Sequence, residues 1–147
     1  MPTVARSEML IRASAKRVFE AFVEPAWLKR FWLKDASGPL ELNQKIQWKF
    51  LVPGATEEVT TAHLVPAERI AFKWSDGKSV DIRFARFGAG ATRVTIEVVG
   101  FRGKDAVAEA IGATEGFTIV LCALKGLLEG GAPLRLVRDK AKLIAAG

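Results

Sequence analysis

The sequence contains no tyrosine, one cysteine and one histidine in 147 residues. Without tyrosine, a pocket has no phenol to serve as acid, base or hydroxyl donor, so polar chemistry must come from other side chains. The lone Cys122 excludes an internal disulfide and a cysteine metal cluster. Its place in an apolar helical stretch marks it as a core thiol rather than a nucleophile. The lone His63 has no clustered partners, no Ser-His-Asp arrangement and no metal-ligand spacing around it, so no metal and no cofactor are expected. No signal-peptide pattern opens the chain, and no apolar run approaches the roughly 18 residues of a membrane span. A cytoplasmic location without a membrane partner is therefore expected. The net charge is +6, but the basic residues are scattered, with no dense run and no aromatic-basic RNA motif. Nucleic acid is not an expected partner.

Half of the residues are apolar, and nine Phe and four Trp are spread through the chain, which argues against disorder and for one domain over residues 1–147 with one core. The most informative stretch is Glu115–Glu129. Phe117, Val120, Leu121, Leu124 and Leu128 recur at helical spacing, with Ile119, Cys122 and Leu127 apolar off that stripe. Lys125 is its only charge between Phe117 and Leu128. Such a helix should be covered on more than one face, by the rest of the chain or by a second copy of the protein.

Ahead of it come short strands. Val4–Ile11 reads as a first strand, and Ser14 as the N-cap of a helix carrying Val18, Phe19 and Phe22. Glu24-Pro25 ends that helix and starts a second one with Trp27, Leu28, Phe31 and Trp32. Strands are then expected near Leu40–Leu42, over Ile46–Val52, Glu57–Val65 and Arg69–Trp74, around Val80–Phe84, and over Thr92–Val99. Their links are Asn43-Gln44, Pro53-Gly54, Pro66-Ala67-Glu68, Ser75-Asp76-Gly77-Lys78 and Gly88-Ala89-Gly90. In several strands apolar residues alternate with polar ones, as in an antiparallel meander with one greasy and one wet face. Asp81, Arg83, Arg93 and Glu97 fall on the wet face, as a solvent-side ion-pair ladder. Asp105 caps a helical stretch from Ala106 that Gly112 and Gly116 can kink, Gly130-Gly131 ends the main helix, and Pro133–Ala146 forms a short amphipathic helix.

A strand, two short helices, a meander and a long last helix resemble the helix-grip fold of the START/polyketide-cyclase/birch-allergen (SRPBCC) superfamily. Ile11-Arg-Ala-Ser-Ala-Lys-Arg-Val-Phe-Glu-Ala-Phe22 and Pro25-Ala-Trp-Leu-Lys-Arg-Phe-Trp32 resemble the opening of one branch. That branch is related to the activator of the ninety-kilodalton heat-shock chaperone's ATPase. Glu115-Gly-Phe, Val120-Leu, Leu124-Lys and Leu127-Leu-Glu-Gly130 resemble its final helix. The resemblance covers essentially the whole chain. It implies an α+β fold with a curved antiparallel sheet wrapped around a long C-terminal helix, and a cavity between the two. It carries no shared catalytic signature.

The strand faces agree with such a cavity. Trp48, Phe50, Phe72, Trp74 and Phe84 on strands, with Phe117 and Leu121 on the helix, are the expected lining, and Trp27 and Trp32 the expected entrance. Gly112 and Gly116, one turn apart, suggest that side-chain volume is unwelcome there, to leave room for a ligand or to let the helix pack closely on the sheet, unless they simply lie in a loop before the helix. His63 is the candidate acid or base. It shares parity with Val59, Thr61 and Val65, yet Ala62 and Leu64 form an equally apolar face, so its direction stays open. Three functions follow: non-catalytic binding of a small apolar molecule, a cyclase or hydrolase using the same cavity, and a module that contacts a chaperone. The first leads, and a homodimer is compatible with each.

Overall fold

The computed structural model describes residues 2–131 and 133–147. The chain runs β1 (Ala5–Ile11), α1 (Ala15–Val23), α2 (Pro25–Phe31), β2 (Leu33–Ala36), β3 (Lys45–Phe50), β4 (Thr56–Val65), β5 (Arg69–Lys73), β6 (Ser79–Arg86), β7 (Thr92–Val99), α3 (Ala106–Leu128) and α4 (Leu136–Ala146). The strands form one sheet in the order β1-β7-β6-β5-β4-β3-β2, antiparallel at every step. β1 crosses over to pair with β7, and α1 and α2 fill the connection from β1 to β2. This is the helix-grip arrangement, with α3 held in the curve of the sheet.

Local chemistry explains the boundaries. The Ser14 hydroxyl accepts the Arg17 N–H at 3.2 Å, capping α1. Glu24 is both the extended C-cap of α1 and the residue before Pro25, which opens α2. The strand expected near Leu40–Leu42 is displaced. The edge strand is Leu33–Ala36, paired with β3, so α2 gives way to extended chain as soon as Trp32 has capped it. Leu40 is instead buried, with its N–H on the Val23 carbonyl at 3.1 Å, and Leu42 makes only an isolated bridge to Thr61. Each stretch carries two apolar residues among charged ones, and only sheet pairing separates them.

The outer face of the sheet carries the expected charges. Arg69 makes two hydrogen bonds to Asp81, at 3.2 and 2.9 Å, Arg83 reaches the same carboxylate at 3.4 Å, and Arg6 pairs with Glu97 at 3.5 Å. The inner face is sealed by Trp48, Val59, Ile70, Phe72, Val80, Ile82, Val94 and Ile96, none of them more than 1% exposed.

α3 is one continuous helix through Gly112 and Gly116, with no break at either. By length and composition it could cross a membrane. In this fold it is the core helix: Val120, Leu121 and Leu124 are buried, and α2 and α4 pack on it. The expected second cover is therefore α4. It does not extend to the first turns, where Val107 and Ile111 are 63% and 65% exposed.

The C-terminal end of α3 is fastened to β1 by charge. Lys125 Nζ donates to the Leu10 carbonyl and to the Glu129 carboxylate, both at 2.7 Å, and Glu129 also accepts the Arg12 N–H at 3.0 Å. The hydrogen bond from Lys125, then that from Arg12, holds the Glu129 carboxyl below its ordinary 4.5. A lowered folded-state pKa stabilises the fold fully above the unfolded value, and the contribution fades as pH falls through the folded value. Lys125→Met removes the larger of the two causes. The melting-temperature gap between wild type and Lys125→Met is expected to narrow as pH falls from about 6 to about 3, which thermal unfolding against pH would measure.

Candidate functional site

α3 approaches the sheet closely only along β1 and β7. The gap it leaves over the middle strands must be filled by large side chains or stay open, and both happen. Trp48 sits at the centre of an aromatic nest, edge-on to Trp32 at 5.0 Å, Phe72 at 5.3 Å, Trp74 at 5.7 Å and Phe50 at 6.4 Å. Beyond this nest lies an apolar cavity of about 280 Å³. Its sheet side is Phe50, Leu51, Val52, Ala55 and Trp74; its helix side is Ala113, Gly116, Phe117, Ile119 and Val120. Trp32 closes one flank, and α4 crosses the mouth with Val137, Ala141 and Ile144.

Three of the expected lining residues, Phe50, Trp74 and Phe117, meet there, together with Trp32 from the expected entrance. Trp48, Phe72, Phe84 and Leu121 do not. They are the packed core behind the walls, between 0% and 6% exposed, and Phe84 stacks under Phe19 and Phe22 of α1. Trp27 does not frame the entrance; its ring lies beneath the guanidinium groups of Arg17 at 5.0 Å and Arg30 at 4.9 Å. His63 is exposed on the outer face of the sheet. A bulge between Thr61 and His63 reverses the parity of β4, so that Thr61 faces in opposite Phe72 and Leu64, not Val65, faces Ile70. Alternation alone cannot reveal such a bulge.

The glycines settle one alternative. A Cβ on Gly112 or Gly116 would meet nothing within 4 Å, so neither is small for close packing. Gly112 is exposed to solvent, whereas Gly116 opens onto the cavity. The place of α4 in the cavity wall was not expected from the sequence. Val137, Ala141 and Ile144 recur at helical spacing, but a mixed basic and apolar tail does not say which surface it covers. The only charged wall residue among those described is Lys140, which forms an ion pair with Glu115 of α3 and ties α4 across the mouth.

Two polar clefts flank the cavity. One, of about 380 Å³, shares Phe50, Trp74 and Ala113 with it and adds Glu57, Asp76, Lys78, Phe101 and Glu109. Its groups are largely engaged with one another. Glu57 accepts the Ser75 N–H at 2.6 Å and the Ser75 hydroxyl, and Asp76 accepts the backbone N–H and Nζ of Lys78 at 2.9 and 3.0 Å. The Asp76 hydrogen bond pushes the Lys78 ammonium above its usual range. Burial raises the Asp76 carboxyl, but the Lys78 hydrogen bonds outweigh it, and the net shift is downward. The other cleft, of about 620 Å³, lies between α2, α3 and α4 and shares Trp32, Leu51 and Val137 with the cavity. Cys122 lines this second cleft and is half-buried, rather than a core thiol.

The fold and the interior between sheet and α3 define a helix-grip protein of the SRPBCC type. Within that class, the chain belongs to the family described as activator of Hsp90 ATPase homolog 1-like protein, which it matches over residues 12–129. Among solved structures it is similar to protein SSP2350 from Staphylococcus saprophyticus, with 28% identity and a TM-score of 0.80 over 90% of this chain and 96% of that one. It is also similar to the Aha1 dimer from Colwellia psychrerythraea, at 18% identity and TM-score 0.78, over 88% and 98% of the two chains. DynU16, a putative protein in the dynemicin biosynthetic locus, aligns at 23% identity and TM-score 0.75, over 88% of this chain and 48% of its own. None of the curated proteins matches the chain.

Proposed function

We propose that the protein binds a small, largely apolar molecule, without catalysis, in the cavity between the sheet and α3. The observation that carries this reading is a pocket of about 280 Å³, open to solvent on one side, whose walls are aliphatic and aromatic except for Lys140. A dry apolar cavity of about 150 Å³ holds benzene, so this one suits a ligand of two fused rings or a short alkyl chain. Burial of apolar surface is the driving force, at about 25 cal/mol per Å². A cytoplasmic location belongs to the same reading. Native mass spectrometry of freshly purified protein tests it: a small-molecule mass should be retained and lost on denaturation. Bare protein that also fails to take up naphthalene would overturn the reading.

A cyclase or hydrolase activity has less support, because His63 stands on the outer face and Lys140 is already paired with Glu115. Association with a chaperone is the second reading. The family's description and the exposed Val107 and Ile111 on α3 favour it. The Colwellia neighbour is a dimer, and the same mass spectra would show whether this protein is one.

A further inference from the structure

The cleft between α2, α3 and α4 combines three features. It is large, its floor is apolar, and its charged lining is of one sign. Lys29 and Arg30 come from α2; Arg135, Arg138 and Lys142 come from the start and body of α4. Among the described lining residues there is no Asp or Glu. Lys142 lies 3.8 Å from Asp139, and Arg30 covers Trp27, but the side chains of Lys29, Arg135 and Arg138 take part in none of the described ion pairs or hydrogen bonds. This contrasts with the acidic cleft at the other end of the cavity, where Glu57 and Asp76 already accept hydrogen bonds from Ser75 and Lys78. On that flank Glu57, Asp76 and Lys78 are thus paired, whereas on the other Lys29, Arg135 and Arg138 are not.

Two further details favour an anion on the unsatisfied side. Arg135 sits in the left-handed region, at φ 57° and ψ 36°, an unusual conformation for an arginine, and its side chain lines the cleft. It is also the N-cap of α4 and makes no side-chain cap, so the positive end of α4 adds to the potential there. The cavity and the cleft are neighbours, and Trp32, Leu51 and Val137 line both.

We infer that the ligand is an apolar monocarboxylate, its hydrocarbon body in the cavity and its carboxylate held by Arg135 and Arg138 in the basic cleft. The inference rests on the apolar-cavity reading above and adds the charge of the ligand to it. A carboxylate suits two guanidinium groups because each offers paired N–H donors in a plane. The surplus of positive charge, +6 over the whole chain, also favours encounter with an anion.

The test compares decanoate with decanol, equal in chain length and different in charge, by calorimetric titration at pH 7. Both are measured on wild type and on the Arg135→Glu/Arg138→Glu variant. Wild type should bind decanoate at least about tenfold more tightly than decanol, because charge-assisted hydrogen bonds reward the carboxylate alone. In the variant that preference should vanish while decanol affinity stays unchanged, which also shows that the cavity remains folded. Equal affinities of wild type for the two ligands would overturn the carboxylate assignment and leave the cavity reading standing. No binding of either ligand to wild type would overturn both. A preference that survives in the double variant would overturn the roles of Arg135 and Arg138.

Discussion

Gly116→Leu is expected to weaken binding of a naphthalene-sized ligand by more than about 100-fold, a loss of some 2.7 kcal/mol, while the melting temperature stays at or above that of wild type. The two halves of this result come from one geometric fact. A Cβ at Gly116 meets nothing within 4 Å because it enters the cavity. A leucine there therefore begins in open space and extends into the volume a ligand would occupy. On the stability side, glycine inside a helix costs about 1 kcal/mol against alanine, and filling apolar space restores dispersion contacts. Gly112→Leu is the control. It lies one turn earlier on the same helix, exposed to solvent, and should leave affinity unchanged. Calorimetric titration and thermal unfolding of the three proteins would check both halves.

Trp48→Ala should have the opposite signature. Trp48 is fully buried and touches Trp32, Phe50, Phe72 and Trp74, so it supports three cavity walls without being one. Truncating a buried tryptophan costs about 3–5 kcal/mol, against a total stability of about 5–15 kcal/mol for a domain. The urea midpoint should fall by about a fifth of its value or more, and ligand affinity should fall with it because Trp32 and Trp74 lose their backing. An unchanged midpoint would mean that the nest is not a unit. The indole N–H of Trp48 has no partner among the described residues, so part of its packing gain is spent on desolvating that group. The same logic rules out Phe72 as a clean probe of binding: at 1% exposure, a charge there would unfold the protein before it blocked a ligand.

The fold was readable where one period dominated. The stripe Phe117, Val120, Leu121, Leu124 placed α3, and Glu24-Pro25 placed the joint between α1 and α2, because helical spacing and the steric demand of proline act locally. Strands with clear alternation, such as β7, were readable for the same reason. The site was only half readable. Alternation assigns a residue to the inner face of the sheet, but it does not say whether that residue ends in packed core or beside open space. Phe72 and Phe50 have the same pattern, yet one is core and the other is a cavity wall. His63 was unreadable because a bulge changes parity without changing composition. The part played by α4 depends on which surface its apolar side meets, and that is a tertiary fact.

The central claim is that the space between the sheet and α3 is an open, ligand-accepting cavity. Titration of wild-type protein with naphthalene, followed by calorimetry at several temperatures, tests it most directly. Saturable binding of one molecule per chain with a negative heat-capacity change, the mark of apolar burial, and loss of that binding in Gly116→Leu is the result this account predicts. Absence of saturable binding, or equal binding in wild type and Gly116→Leu, would contradict it.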